Sequence, residues 1–421
     1  MKEREEKSLL GPFRVLDLTD EKGVLCTKLM ADFGADVIKI EPPGGDPMRN
    51  IGPFYHDEQD PEKSLYWFTY NTSKRSITLD ITQPDGQELF RELVKTADFV
   101  VECFAPGFMD KLGLGYPALS QINPRIIMTS ITPFGQTGPY RDYKSSDIVG
   151  MAMGGLLYLT GEPHRPPVRV RAQQAYSQAG VQAAGGTMVA HYYRQTSGEG
   201  QHVDVSMQEA ISNTIDTAQQ AWDLQRVVYK RVAPFRPLGD LKIRCVYPCK
   251  DGFFACWNPE ELESIREWMD KAGVPYDETK MEKWIELRRK ITDGEITLAE
   301  AIAQEELTEM QETRIPLLAK FTRKEIYAEV LEKDFGWAPV NTPKDLVESP
   351  QLAARNYYVQ VEHPELNDTI TYPGAPCKMS ETPWELRSRA PLIGEHNEEV
   401  FIKELGISPQ RLHKLRQANV I

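Results

Sequence analysis

The stretch RVRAQQAYSQAGVQAAGG, residues 169–186, opens an Ala/Gly-rich helical run with a tyrosine, Tyr176, at its mouth. Covalent or acid–base chemistry would call for a carboxylate at such a place, yet no Asp or Glu lies between Glu162 and Glu199. A phenol with a reference pKa of about 10 is ionised in roughly one molecule in a thousand at pH 7. Other constellations carry less. Cys245, Cys249 and Cys256 invite a zinc reading but lack a fourth ligand nearby and flank the hairpin-like run RCVYPCKDGFFACW, so no metal is expected. The seven histidines are scattered, with no His-x-x-x-His pair.

The elements around Tyr176 follow an alternating rhythm. FRVLDL reads as a strand, TDEKGVLCTKLMADFGA as a helix closing on Gly34, and DVIKIE as a second strand, a β-α-β unit that implies a parallel sheet. SITLDI, a helix through QELFRELVKTA, DFVVECF and RIIMTSITPFG continue it, followed by a long helix from about Gln173 to Gln195 and the strand HVDVSM. This predicts an α/β, Rossmann-like large domain, with ligands beyond the carboxyl ends of the strands. No GxGxxG follows the first strand and no GxxxxGK[ST] occurs, so neither a dinucleotide nor a P-loop nucleotide is indicated.

After Arg226 the texture changes to a hairpin around Lys250-Asp251-Gly252 and a charged stretch from Glu260 to about Lys333 that reads as amphipathic helices. From GWAPVNTPKDL the first pattern returns. The expected division is therefore a large domain from 1–225 and 335–421, with a smaller α+β domain at 226–334 inserted between them.

The 421 residues carry a net charge of −13, which argues against a nucleic-acid footprint or attachment to anionic lipid. No apolar run approaches the roughly 20 residues of a membrane span. MKEREEKSLL has no apolar core after its charges, which excludes a signal peptide or anchor. Six cysteines without a framework of close spacings suit a reducing compartment, and a cytoplasmic protein is expected.

Seven segments, in order, resemble the family III CoA-transferases, the group of formyl-CoA transferase and carnitine CoA-transferase. They are VLDL…LMADFGADVIKIEPPGGDPMR, NTSKRSITLD, VECFAPGFMDKLGLGY, SITPFGQTGPYRD, SSDIVGMAMGGLLYLTGEP, TSGEGQHVDVSMQEA and APVNTPKDLVESPQLAARNYYV. The resemblance implies an interlocked dimer that moves coenzyme A, carried as a substrate thioester, between carboxylic acids. In that chemistry an aspartate attacks the thioester, forms a mixed anhydride and then itself carries CoA.

In the family's frame, marked here by Pro167 and Gly180, the aspartate position holds Tyr176. A phenol has no carbonyl on which to carry CoA, so this chain is expected to have no catalytic residue of its own. Ala105 stands where the family has an arginine near the CoA phosphates, and Asp20 and Glu21 stand in the loop that wraps CoA, where they would repel a polyanion. Lys74 and Arg75 remain as weak candidates for binding the nucleotide end of CoA.

The resemblance then implies a non-catalytic subunit paired with a homologous partner that carries the aspartate. The heteromeric members that transfer CoA from succinyl-CoA to benzylsuccinate, in anaerobic toluene degradation, are the nearest in kind. Two alternatives stay open: a homodimeric acyl-CoA racemase using His164 and Asp147, and a regulatory or structural homologue.

Overall fold

The alternating pattern folds as a parallel sheet. In the computed structural model, which describes residues 8–238, 241–256 and 262–421, β1 (Arg14–Leu18), β2 (Asp36–Glu41), β3 (Lys74–Thr78), β4 (Phe99–Glu102), β5 (Ile127–Thr132) and β6 (His202–Ser206) lie in the order 3-2-1-4-5-6. Every neighbouring pair is parallel. This is the doubly wound order, in which the connections leaving β1 and β4 run to opposite sides and open a crevice beyond their carboxyl ends. The start of the charged stretch at Glu260 and the N-terminal MKEREEK lie outside the described residues.

Strand alternation sorts side chains onto two faces. Leu16, Ile38, Ile77 and Val100 enter one core with Phe90 and Phe401. Val15, Val37, Phe99 and Val101 enter the other, with Ala179 and Ala183. Helices cover both faces, which is why the strands are nearly continuous in apolar residues. The helices that matter for the site are α1 (Val24–Asp32), α2 (Leu65–Tyr70), α3 (Pro84–Val94), α4 (Asp147–Met153), α5 (Gln174–Ser197) and α6 (Met207–Ser212).

Helix α5 is poor in large side chains because it must lie close. A Cβ added to Gly180 would stand 2.9 Å from Leu25 Cβ and 3.3 Å from the Cys26 backbone nitrogen, so only glycine admits α1 at this distance. Ala175, Ala179 and Ala183, at four-residue spacing, are fully buried on the same side. At its far end Arg194, buried, donates to the carbonyls of Asp98 and Arg125 at 2.9 Å each.

Two compact units emerge. The first comprises Met1–Tyr158, Arg169–Val228 and Pro350–Ile421; the second comprises Leu159–Val168 and Tyr229–Ser349. In the second, β7 (Val246–Cys249), β8 (Gly252–Cys256) and β9 (Trp337–Pro339) form an antiparallel sheet. Its core gathers Tyr247, Phe254, Trp268, Trp284 and Trp337 from the sheet and from amphipathic helices such as Leu262–Ala272. The chain's last segment returns to the first unit and covers the edge of β3, where the Asn397 carboxamide accepts from Thr78 N–H at 2.9 Å and donates to its hydroxyl at 2.8 Å.

Candidate active site

The crevice between β1 and β4 is closed down by their two following loops. A Cβ on Gly23 would fall 2.4 Å from Cys103 Sγ and 2.7 Å from Ile131 Cδ1, so the loop after β1 needs glycine to pass the loop after β4. Asp20 and Glu21 precede this glycine, and Asp20 is paired with Lys22. Ala105 is exposed in the turn after β4.

Helix α5 begins over this crevice, and Tyr176 sits in its first turn with only 7% of its surface exposed. Burial first, and then the Glu21 carboxylate, push its phenol well above the ordinary tyrosine value. An ionised phenolate nucleophile is therefore disfavoured twice over. Gln173, the N-cap, makes no capping bond with its side chain. Asp147 supplies the cap instead: its Oδ1 accepts from the N–H groups of Ala175 at 2.8 Å and Tyr176 at 3.3 Å. Its Oδ2 is buried without a hydrogen-bond partner, with Arg169 Nη2 at 4.0 Å. Burial raises the Asp147 pKa against these contacts.

The Gln173 side chain is turned elsewhere. Its Oε1 accepts from the Tyr66 hydroxyl of α2 at 2.6 Å, and its Nε2 donates to Glu21 Oε2 at 3.4 Å. Burial and the neighbouring Asp20 raise the Glu21 pKa, opposed by the hydrogen bond from Gln173 and by Lys22. A second acid closes the floor: Glu102, at the end of β4, is 3% exposed, and burial pushes it up to about 7 even though the Ser130 hydroxyl and the Phe104 N–H, at 2.7 Å, favour its charged form.

The basic candidates for the nucleotide end of CoA, Lys74 and Arg75, are both engaged by groups of the fold. Lys74 is 2% exposed, and its Nζ donates to Asp17 Oδ2 at 2.9 Å, Thr27 Oγ1 at 2.9 Å and Asn71 Oδ1 at 3.0 Å, using its three donors. Arg75 spends its guanidinium on Asp36, Glu399 and Glu404. The physical reason is the sheet: β3 lies beside β2, and a charge on its inner side must find partners there. His164 is exposed in the 159–168 segment of the second unit. Cys245 and Cys249 are half-buried on the small hairpin and Cys256 is buried, its thiol pushed up to about 12 by burial. Among the described residues no three metal-ligating side chains gather.

Sequence reasoning did not find Gln173, Tyr66 or Glu102, nor the capping role of Asp147. Tyr66 and Glu21 meet Gln173 only through the fold. For Asp147, an acid opening a helix was a usable sign, but it pointed to α4 and not to α5.

CoA-transferase family III matches this chain over residues 10–397. The chain is 36% identical over 404 residues to the succinyl-CoA:(R)-benzylsuccinate CoA-transferase subunit BbsE of Thauera aromatica, covering 93% of each. It is 31% identical to the succinyl-CoA–L-malate CoA-transferase beta subunit of Chloroflexus aurantiacus, over 98% of each. A CAIB/BAIF family protein from Brucella suis superposes with a TM-score of 0.77 at 27% identity, over 93% of this chain and 98% of that one.

Proposed function

The chain belongs to CoA-transferase family III, and from that premise we propose that it is the subunit of a heteromeric CoA-transferase that lacks the nucleophile. A homologous partner carries the aspartate, and the pair moves CoA from succinyl-CoA to a carboxylic acid such as benzylsuccinate in the cytoplasm. The observation that carries this reading is Tyr176: a buried phenol in the first turn of α5, with its pKa raised and no acid in the sequence from 163 to 198. Covalent transfer needs a carboxylate that can become first an anhydride and then a thioester, and a phenol can become neither.

Two relatives are named as subunits of such enzymes. The surface of the first unit also suits a protein partner. Val181, Val189 and Tyr192 form a stripe along α5 with half or more of each side chain exposed in the last two, and Trp222 and Leu224 are exposed on helix Ala218–Gln225. Apolar stripes of this kind are normally covered. An interlocked dimer, which the family resemblance implies, would cover them with the homologous chain.

The test is reconstitution. Expressed alone, the chain is expected to give no transfer from succinyl-CoA to benzylsuccinate, and co-expression with the partner restores it. Steady turnover by the chain alone, with a hydroxylamine-sensitive enzyme thioester, overturns the reading.

A further inference from the structure

A missing nucleophile would leave an acyl-CoA site that binds but does not react. The mouth of α5 is built differently. Glu21 arrives from the loop after β1, Tyr66 from α2, and Gln173 and Tyr176 from α5 itself. Tyr66 fixes the Gln173 amide so that its NH2 group is directed at Glu21. A helix N-terminus attracts an anion through its free N–H groups and its dipole. Here the first N–H groups are taken by Asp147, and the adjoining space is held by Glu21, so both anions are the protein's own.

We infer that Glu21 is a specificity-determining residue: its carboxylate occupies the mouth of α5 as a built-in anion and closes this subunit's site to acyl-CoA, leaving the partner's site to load. An incoming thioester that ends in a carboxylate, as succinyl-CoA does, meets a like charge there and has to break the Tyr66–Gln173–Glu21 chain of bonds. This rests on the proposed subunit role but is a separate claim, since the loss of the nucleophile at Tyr176 and the closure by Glu21 are independent devices. Asp20 does not share the role, because Lys22 pairs with it.

Calorimetric titration of the full-length chain with succinyl-CoA, alone and in the complex, tests it. Wild type is expected to bind weakly. Glu21→Gln, which keeps size and hydrogen bonding, and Glu21→Ala should each bind at least tenfold more tightly, and Asp20→Asn less than threefold so. In the complex the Glu21 variants should raise the stoichiometry from one to two succinyl-CoA per pair. If both Glu21 variants keep the wild-type circular dichroism and bind no more tightly than wild type, the inference falls while the subunit role stands. A hydroxylamine-sensitive acyl or CoA adduct on Glu21 also overturns it, by making that carboxylate a nucleophile. Turnover by the wild-type chain alone is what would remove the subunit role itself, so the two failures read differently.

Discussion

Two charged regions of the same sheet are built on opposite principles. Under β1, β2 and β3, buried charges alternate in sign. Asp17 is held by Lys74 at 2.9 Å and faces Lys39 at 3.9 Å, Lys39 reaches Asp46 at 2.9 Å, and Arg49 joins Glu41 at 2.7 Å and Glu62 at 2.6 Å. At the crevice between β1 and β4, Glu21 and Glu102 are met by neutral hydrogen-bond donors, and Asp147 by backbone N–H groups. The first region pairs every acid with a cation and serves the fold. The second is acidic and unbalanced, which costs stability.

Breaking the balanced region should have the largest effect. Burial would raise the Asp17 pKa, but Lys39 and Lys74 hold it below the usual carboxylate range. Its contribution is therefore present above the ordinary aspartate value and lost as pH falls through the depressed folded value. Asp17→Ala leaves two lysines buried without it and should cost roughly 3–5 kcal/mol, read as a lower urea midpoint.

The unbalanced region should respond with the opposite sign. The folded pKa of Glu102, about 7, lies above an ordinary glutamate value of 4.5, so the folded state holds a proton that the unfolded state gives up. Stability should fall as pH rises from about 4.5 to about 7 and then level off, because the folded chain binds more protons across that window. Glu102→Gln should flatten this slope in urea titrations run across the same range. A slope unchanged by the substitution would mean that the crevice is not short of positive charge.

The smallest effect concerns the cap. Asp147→Ala removes the acceptor for two N–H groups of α5 and should cost roughly 0.5–2 kcal/mol. Relief of its buried, unpartnered oxygen offsets part of that loss.

The same contrast explains what could be read from the sequence. Strands and helices were legible because FRVLDL, DVIKIE and DFVVECF are local apolar runs bounded by turns, and their order follows from the connection rules. The long helix expected from Gln173 to about Gln195 is found at Gln174–Ser197. Tyr176 was legible because its neighbourhood lacks acids. Lys74 was not, since a strand reading KRSIT gives no sign of which of its two cations turns inward, and Asp17, Thr27 and Asn71 come from three other segments. The Glu21–Gln173–Tyr66 contact joins residues more than a hundred positions apart, and only the folded sheet brings them together.

Tyr176 and Gly180 stand one helical turn apart, and the turn separates two kinds of constraint. Gly180 is fixed by the approach of Leu25 and Cys26, whereas Tyr176 lies in the first turn of the helix, away from that approach. In the genetic code the aspartate and tyrosine codons differ by a single base. On the proposed reading, a duplicated gene could thus lose its nucleophile in one substitution while every contact that seats the helix stayed in place. Selection would then be free to act on the idle copy for what it offers its partner.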